Sequence, residues 1–118
     1  MTWLLVGLLG AAGSLARYGL GHLLGGHAWL PTFVINVLGS FGIGLAIALL
    51  GTVTAPRGVG ITAGFFGGFT TYSAFAYQSV MLFERRAYGT LAAYVTLTLL
   101  GCFAACAAGV SLGRLLTR

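Results

Sequence analysis

Charged residues are scarce in this chain, which has six arginines, one glutamate, no lysine and no aspartate among its 118 residues. They make up 6% of the sequence, whereas a soluble domain carries about 25%, so an ordinary soluble domain is excluded. The single acid, Glu84, leaves no carboxylate pair and no nucleophile–base–acid set. The sequence therefore predicts that the protein is not an enzyme.

The basic residues are too scattered for a nucleic-acid partner. The net charge is +5, but the arginines lie at segment ends instead of forming a patch, which favours membrane-interface anchors and argues against nucleic acid. Gly67 and Gly68 precede a helix-like run, yet a phosphate-binding loop is excluded because the chain has no lysine and no Walker pattern.

Cysteine and histidine are too few to indicate a disulfide or a metal site. Cys102 and Cys106 lie four apart on one predicted helix, so we expect no disulfide between them and interpret both as small buried hydrophobic side chains. His22 and His27 lie in or near the first loop, and their spacing matches no metal site. We interpret both as interfacial histidines.

Long apolar runs fill most of the chain, which is 58% hydrophobic. Four segments are long enough to cross a bilayer core of about 30 Å at about 1.5 Å per residue, with approximate spans 2–24, 31–50, 58–83 and 87–113. The N-terminus lacks a basic n-region, so no cleaved signal peptide is expected. The sequence predicts an all-α integral membrane protein in which residues 1–118 form one domain of four transmembrane helices in a lipid bilayer.

The third segment contains a predicted break in its helix. Two adjacent glycines and two adjacent threonines occur within residues 67–71, and neither pair favours a continuous helix. A break at mid-membrane depth frees backbone N–H and C=O groups, which must be buried in protein or line a watery cavity. Tyr72 and Phe75 follow the break three residues apart and share one helical face.

Polar side chains form one face on each of two other segments. Asn36 is the only asparagine in the chain and lies in the apolar middle of the second segment, with Thr32 and Ser40 four residues to either side. The fourth segment repeats the spacing with Tyr94, Thr98 and Cys102. Asn36 has two interpretations, a hydrogen bond between helices or a place in a pore. Two polar faces together with an aromatic face favour the pore.

The chemistry of these side chains favours an anion. No acid lies inside any predicted span, whereas a cation path usually offers carboxylates or clustered carbonyls. Amide and hydroxyl donors and the positive edges of aromatic rings instead suit a small anion that must bind and then leave. Arg17 lies near a segment end, where it either raises the anion concentration at a vestibule or extends to the lipid headgroups.

The arginines give no clear orientation in the membrane. With four spans, both termini and the second loop share one side, which holds Arg57, Arg114 and Arg118; the other side holds Arg85 and Arg86, with Arg17 leaning that way. Because orientation follows arginine asymmetry in short loops, this balance predicts insertion in both orientations and pairing with an inverted copy. The alternative is a fixed orientation set by a partner.

Small residues recur at four-residue spacing on two segments, at Gly60 and Gly64 and at Gly101, Ala105, Gly109 and Gly113. Such ribbons let helix backbones approach closely. They pack helices within one chain or form a subunit interface, and the sequence does not decide between the two.

The sequence of residues 64–75, Gly-Phe-Phe-Gly-Gly-Phe-Thr-Thr-Tyr-Ser-Ala-Phe, closely resembles the signature of the Fluc (CrcB) fluoride channels. Residues 13–18, Gly-Ser-Leu-Ala-Arg-Tyr, and residues 36–41, Asn-Val-Leu-Gly-Ser-Phe, support the resemblance, as do the chain length and the four-span layout. The resemblance covers essentially the whole chain.

This resemblance implies an antiparallel homodimer with two pores that exports fluoride passively across the cytoplasmic membrane. It implies that Asn36 and the ring edges of Tyr72 and Phe75 contact fluoride, with a further hydroxyl from Ser73. Thr32, Tyr94, Thr98 and Cys102 would supply polar pore positions. A buried sodium ion at the dimer centre would be held by the backbone carbonyls of Gly67 and Thr70, doubled by the two-fold symmetry.

Four residues depart from the pattern that the resemblance implies. Tyr72 stands where many members have Phe, Ala74 and Cys102 replace hydroxyl residues, and Gln78 stands where a carboxylate is common. The rival interpretations are a small dual-topology proton-coupled efflux transporter and a membrane assembly subunit without transport. A proton-coupled transporter requires an embedded carboxylate, and the predicted spans contain none.

Overall fold

The computed structural model describes residues 1–26, 29–51 and 53–118, and within these residues the protein is helical with no strand. The elements are α1 (Thr2–Leu24), α2 (Trp29–Leu50), α3 (Pro56–Val59), a π-helical segment (Gly60–Phe66), α4 (Gly67–Phe69), α5 (Tyr72–Glu84) and α6 (Tyr88–Leu116). Among the described helices, α1, α2 and α6 are each long and apolar enough to cross a membrane. The interpretation of His27 lies outside the described residues.

The remaining helical segment, residues 56–84, is interrupted halfway, as predicted. The chain is helical through Phe69, then Thr70 and Thr71 adopt extended backbone angles (ψ of 160° and 109°) before α5 begins. Thr71 is the N-cap of α5, because its hydroxyl oxygen accepts a hydrogen bond of 3.2 Å from the Ala74 N–H. The break therefore falls on the threonine pair.

The glycine pair, in contrast, is helical, which corrects the prediction that the break begins there. Gly67 has φ −61° and ψ −37°, the angles of an ordinary right-handed helix. A Cβ on Gly68 would overlap the carbonyl oxygen of Gly10 in α1 and lie 3.0 Å from the Ser14 hydroxyl oxygen. Gly68 thus allows α4 to touch α1, and it is a packing residue more than a helix breaker.

The small-residue ribbons pack helices within the chain. On the π-helical segment, a Cβ on Gly64 would lie 3.0 Å from the Val6 carbonyl oxygen of α1. On α6, a Cβ on Gly109 would overlap the Phe41 carbonyl oxygen of α2, and one on Gly113 would lie 3.1 Å from the Leu45 carbonyl oxygen. Close contact between backbones therefore joins α1 to the π-helical segment and α2 to α6.

Replacing Gly109 with Ala is expected to lower the thermal stability of the detergent-solubilised protein by several degrees. The new methyl group would force α2 and α6 apart along their longest contact, since it meets backbone atoms that cannot rotate away. Gly89→Ala is the matched control on the same helix, because nothing lies within 4 Å of its Cβ position. Equal melting temperatures for the two variants would contradict this packing role.

Candidate functional site

Asn36 holds the broken segment in place. Its Nδ2 group donates to the Thr71 carbonyl oxygen at 3.0 Å, and its Oδ1 accepts from the Thr71 N–H at 2.8 Å. The side chain thus pairs with both backbone groups of one residue and satisfies them where no helix does. Asn36 is only 8% exposed, and its second Nδ2 hydrogen is not needed for this pairing.

The pairing with Asn36 changes the hydrogen bonding at the end of α4. In a continuous helix the Thr71 N–H would donate to the Gly67 carbonyl and the Ala74 N–H to the Thr70 carbonyl. Here the Thr71 N–H donates to Asn36 and the Ala74 N–H to the Thr71 hydroxyl. Gly67 and Thr70 therefore both lose their helical donors, and their carbonyl oxygens are the ligand type that a hard cation such as sodium prefers.

Side-chain metal ligands give no alternative cation site within the described residues, where no group of three His, Cys, Asp or Glu side chains comes together. The sodium ion that the resemblance implies at the carbonyls of Gly67 and Thr70 stays a prediction.

Arg17 donates to a further carbonyl at the break. Its Nε group donates to the Gly68 carbonyl oxygen at 3.0 Å, across 51 residues of sequence. A guanidinium at this point satisfies an orphan carbonyl and opposes the negative end of the helix dipole. The half-buried side chain therefore points to the break, an arrangement that neither sequence interpretation of Arg17 included.

A groove of about 350 Å³ opens beside the break, and we call it the first groove. It brings together most of the predicted pore residues with both predicted sodium-binding residues. From the predicted set its wall includes Asn36, Gly67, Thr70, Tyr72, Phe75, Thr98 and Cys102; Ser40 and Thr62 add hydroxyls, and Phe66 and Phe103 are among its apolar members. No acidic side chain lines it.

Thr98 lines this groove and has a buried, unsatisfied hydroxyl. The residue is 6% exposed, and its Oγ1 has no hydrogen-bond partner among the described residues. A buried polar group without a partner is costly in a protein interior, so such a group often marks a ligand or water position. Cys102, one turn further along α6, contributes a free, half-buried thiol to the same wall.

The two aromatic residues after the break differ in exposure. Phe75 is 7% exposed and Tyr72 is 78% exposed, and their ring centroids lie 5.6 Å apart with a tilt of 58°. Phe75 also packs on Tyr94, with ring centroids 5.2 Å apart and a tilt of 59°. Phe75 is thus a fixed ring in the wall of the first groove, and the positive edge of such a ring can face an anion.

Three of the predicted pore residues lie outside the first groove. Thr32 lines a second groove of about 260 Å³, whose wall also includes Arg17, Tyr18, His22 and Thr71. The Ser73 hydroxyl lies 3.2 Å from the Thr71 hydroxyl on the exposed side of α5. Tyr94 is 2% exposed and donates its hydroxyl proton to the Gln78 Oε1 at 2.8 Å. The break contributes one wall to each groove, through Thr70 and Thr71 respectively.

Sequence reasoning missed the roles of Thr71 and Gln78. Thr71 is both the N-cap of α5 and the backbone partner of Asn36. A threonine before an apolar helix is a recognisable N-cap signal, so this role could have been predicted. Gln78 was noted as a departure from the family pattern, but no local signal pairs it with Tyr94 sixteen residues later.

Comparison with known proteins gives one consistent result. Residues 4–110 match the sequence model of the family described as CrcB-like protein, Camphor Resistance (CrcB). The fluoride-specific ion channel FluC of Agrobacterium fabrum is 39% identical over 117 residues, covering 93% of this chain and 94% of the relative. Proteins of the same name from Gloeothece citriformis (38%; 92% and 94% covered) and Paracoccus denitrificans (40%; 96% and 94% covered) are similarly related.

Proposed function

The chain belongs to the CrcB-like family, and on that premise we propose that it is a fluoride-selective channel that lets fluoride leave the cytoplasm passively across the cell membrane. Its relatives are ion channels by name, and the protein is a multi-pass membrane protein and not an enzyme. The observation that carries the proposal is the first groove, which combines neutral hydrogen-bond donors and an aromatic edge without any acid.

The groove suits an anion that must bind and be released. The Thr98 hydroxyl has no hydrogen-bond partner in the described part of the chain, and Asn36 retains one amide hydrogen after its two bonds to Thr71. Phe75 adds the positive edge of its ring. These groups attract fluoride without the fixed positive charge that would hold it too tightly to leave.

An inverted second copy is part of the proposal. Arg17 is bound inside the protein, which leaves Arg57, Arg114 and Arg118 on one side and Arg85 and Arg86 on the other. A difference of one arginine is only a weak orientation signal. Large apolar side chains near the first groove are exposed in a single chain, including Phe103 at 72%, and a second copy would cover part of this surface. Each dimer would contain two pores.

Sodium at the dimer centre is proposed on the basis of the carbonyls of Gly67 and Thr70. Both lack their helical donors, and two copies related by a two-fold axis would supply four such oxygens. The positive ion would bind carbonyl oxygens of both copies and so hold their two broken segments together. The residues of this chain would hold it through backbone oxygens alone, so its binding would not depend on a titratable side chain.

Fluoride efflux from proteoliposomes tests the channel directly. Purified protein should release fluoride passively and much faster than chloride, and imposing a proton gradient should leave the rate unchanged. Flux that requires the gradient would indicate a proton-coupled transporter, although the one acid, Glu84, lies exposed at the end of α5. Absence of flux would indicate an assembly subunit without transport.

Replacing Phe75 with Ile is expected to reduce fluoride efflux by roughly tenfold, about the effect of 1.4 kcal/mol. The variant keeps apolar bulk in the groove wall but loses the ring edge and the ring contacts to Tyr72 and Tyr94. Phe83→Ile makes the same chemical change at an exposed position of α5 and should conduct normally. Normal throughput in Phe75→Ile would show that the ring only packs.

A further inference from the structure

Gln78 lies behind the aromatic wall of the first groove, and we propose that it is a positioning residue for the anion path. It holds Tyr94 against Phe75, so that the Phe75 ring keeps a fixed edge toward the groove. The inference rests on the proposed channel function, since it names a residue that sets the geometry of that path.

A part-buried hydrogen bond joins Tyr94 to Gln78. Tyr94 is 2% exposed, and its hydroxyl donates to the Gln78 Oε1 at 2.8 Å. In an apolar surrounding a hydroxyl without an acceptor is costly, so the Tyr94 side chain is strongly tied to the position of the Gln78 carbonyl. Gln78 is the only glutamine in the chain.

Tilted ring contacts connect Tyr94 to the wall of the first groove. The Tyr94 ring lies 5.2 Å from the Phe75 ring and 5.8 Å from the Trp29 ring, measured between centroids. Gln78 is three residues after Phe75 on α5, so both face Tyr94 from the same side of the helix. Tyr94 is thereby held at its hydroxyl by Gln78 and along its ring by Phe75. Of these three residues, Phe75 is the one that lines the first groove.

The Gln78 carbonyl oxygen accepts the hydrogen bond from the Tyr94 hydroxyl. An apolar side chain of the same length would remove this acceptor, and this is the change that the test makes.

The test is a double-mutant cycle read by fluoride efflux and by the fluoride-to-chloride rate ratio. Gln78→Met and Tyr94→Phe should each reduce efflux by roughly three- to tenfold, the effect of about one hydrogen bond. The double variant should lose no more than either single variant, since both break the same contact. Tyr77→Phe removes a phenol from an exposed position of α5, and Ser79→Ala removes a hydroxyl that bonds within its own helix; both should conduct normally.

The outcomes separate this inference from the proposed function. If the wild-type protein releases no fluoride, the channel proposal fails. If the wild type conducts and Gln78→Met conducts equally with the same ion ratio, the positioning role fails alone. Losses that multiply in the double variant would also overturn it, because Gln78 and Tyr94 would then act independently. Monodisperse elution and a single cooperative melting transition show that each variant is folded. The fluoride-to-chloride rate ratio is the readout that a simple loss of folded protein would not move.

Discussion

Replacing Asn36 with Asp is expected to reduce fluoride efflux by roughly a hundredfold or more. The Asp side chain has no donor for the Thr71 carbonyl oxygen, so a carboxylate oxygen would face that carbonyl at the place of a 3.0 Å hydrogen bond. Losing a partner for a buried polar group costs about 1–3 kcal/mol, and the new negative charge in the first groove repels an anion. Both effects act at one site and in the same direction.

A neutral variant separates these two effects. Asn36→Leu removes both hydrogen bonds to Thr71 but introduces no charge. Its loss of flux therefore measures how much these two hydrogen bonds contribute to conduction. A much larger loss in Asn36→Asp would measure the charge in the path. Efflux from proteoliposomes and the melting temperature should be recorded for both variants. Unchanged flux in Asn36→Asp would remove Asn36 from the pore.

The sequence predicted the membrane class and the break because both depend on local composition. Scarce charge and four apolar runs indicate spanning helices without knowledge of any contact. Adjacent threonines disfavour a helix by their own side chains. The exact place of the break, however, depends on Asn36, which takes the Thr71 N–H from a segment 35 residues away. Local preference alone therefore predicted a break somewhere within residues 67–71, whereas in the structure the extended residues are Thr70 and Thr71.

The contacts between segments could not be predicted, because the helices are apolar on most faces. In a soluble helix an apolar stripe marks the buried side, but α2 is apolar nearly all round and offers no such stripe. In the sequence, only Asn36 and its polar neighbours indicate which side of α2 faces the other helices. The pairing of Tyr94 with Gln78 depends on that packing and on the rotation of α6. A polar face thus indicates that a residue is functional without indicating its partner.

The packing partners of the glycines could not be predicted from the sequence either. The count of 20 glycines predicts close packing, but not which backbone each one meets. A Cβ on Gly13 would overlap the Phe65 carbonyl of the π-helical segment, and one on Gly44 would overlap the Cys106 carbonyl of α6. By contrast, Gly7 and Gly19 have nothing within 4 Å of their Cβ positions. Glycines therefore differ in their packing roles, even within α1, because the neighbours that each one meets are distant in sequence.

Replacing Arg17 with Met is expected to reduce fluoride efflux by roughly a hundredfold, because the variant loses two functions of one side chain. A hydrogen bond from a charged donor contributes about 1.5–3 kcal/mol, and the Gly68 carbonyl would lose its 3.0 Å bond from Nε. The second groove, which Arg17 and Thr32 line, would also lose the positive charge that attracts anions. Met keeps most of the apolar stem, so packing along α1 is preserved.

Arg17→Lys distinguishes the two functions, since Lys keeps the charge but has no Nε donor at the same place on the side chain. If the bond to Gly68 fixes the break, Arg17→Lys should lose about as much flux and thermal stability as Arg17→Met. If charge near the second groove matters more, Arg17→Lys should conduct well, and its advantage over Arg17→Met should shrink as ionic strength rises. We expect the first result, because the Arg17 guanidinium is half-buried and bound to the break. Near-normal flux in Arg17→Met would contradict both functions and leave Arg17 as a packing residue.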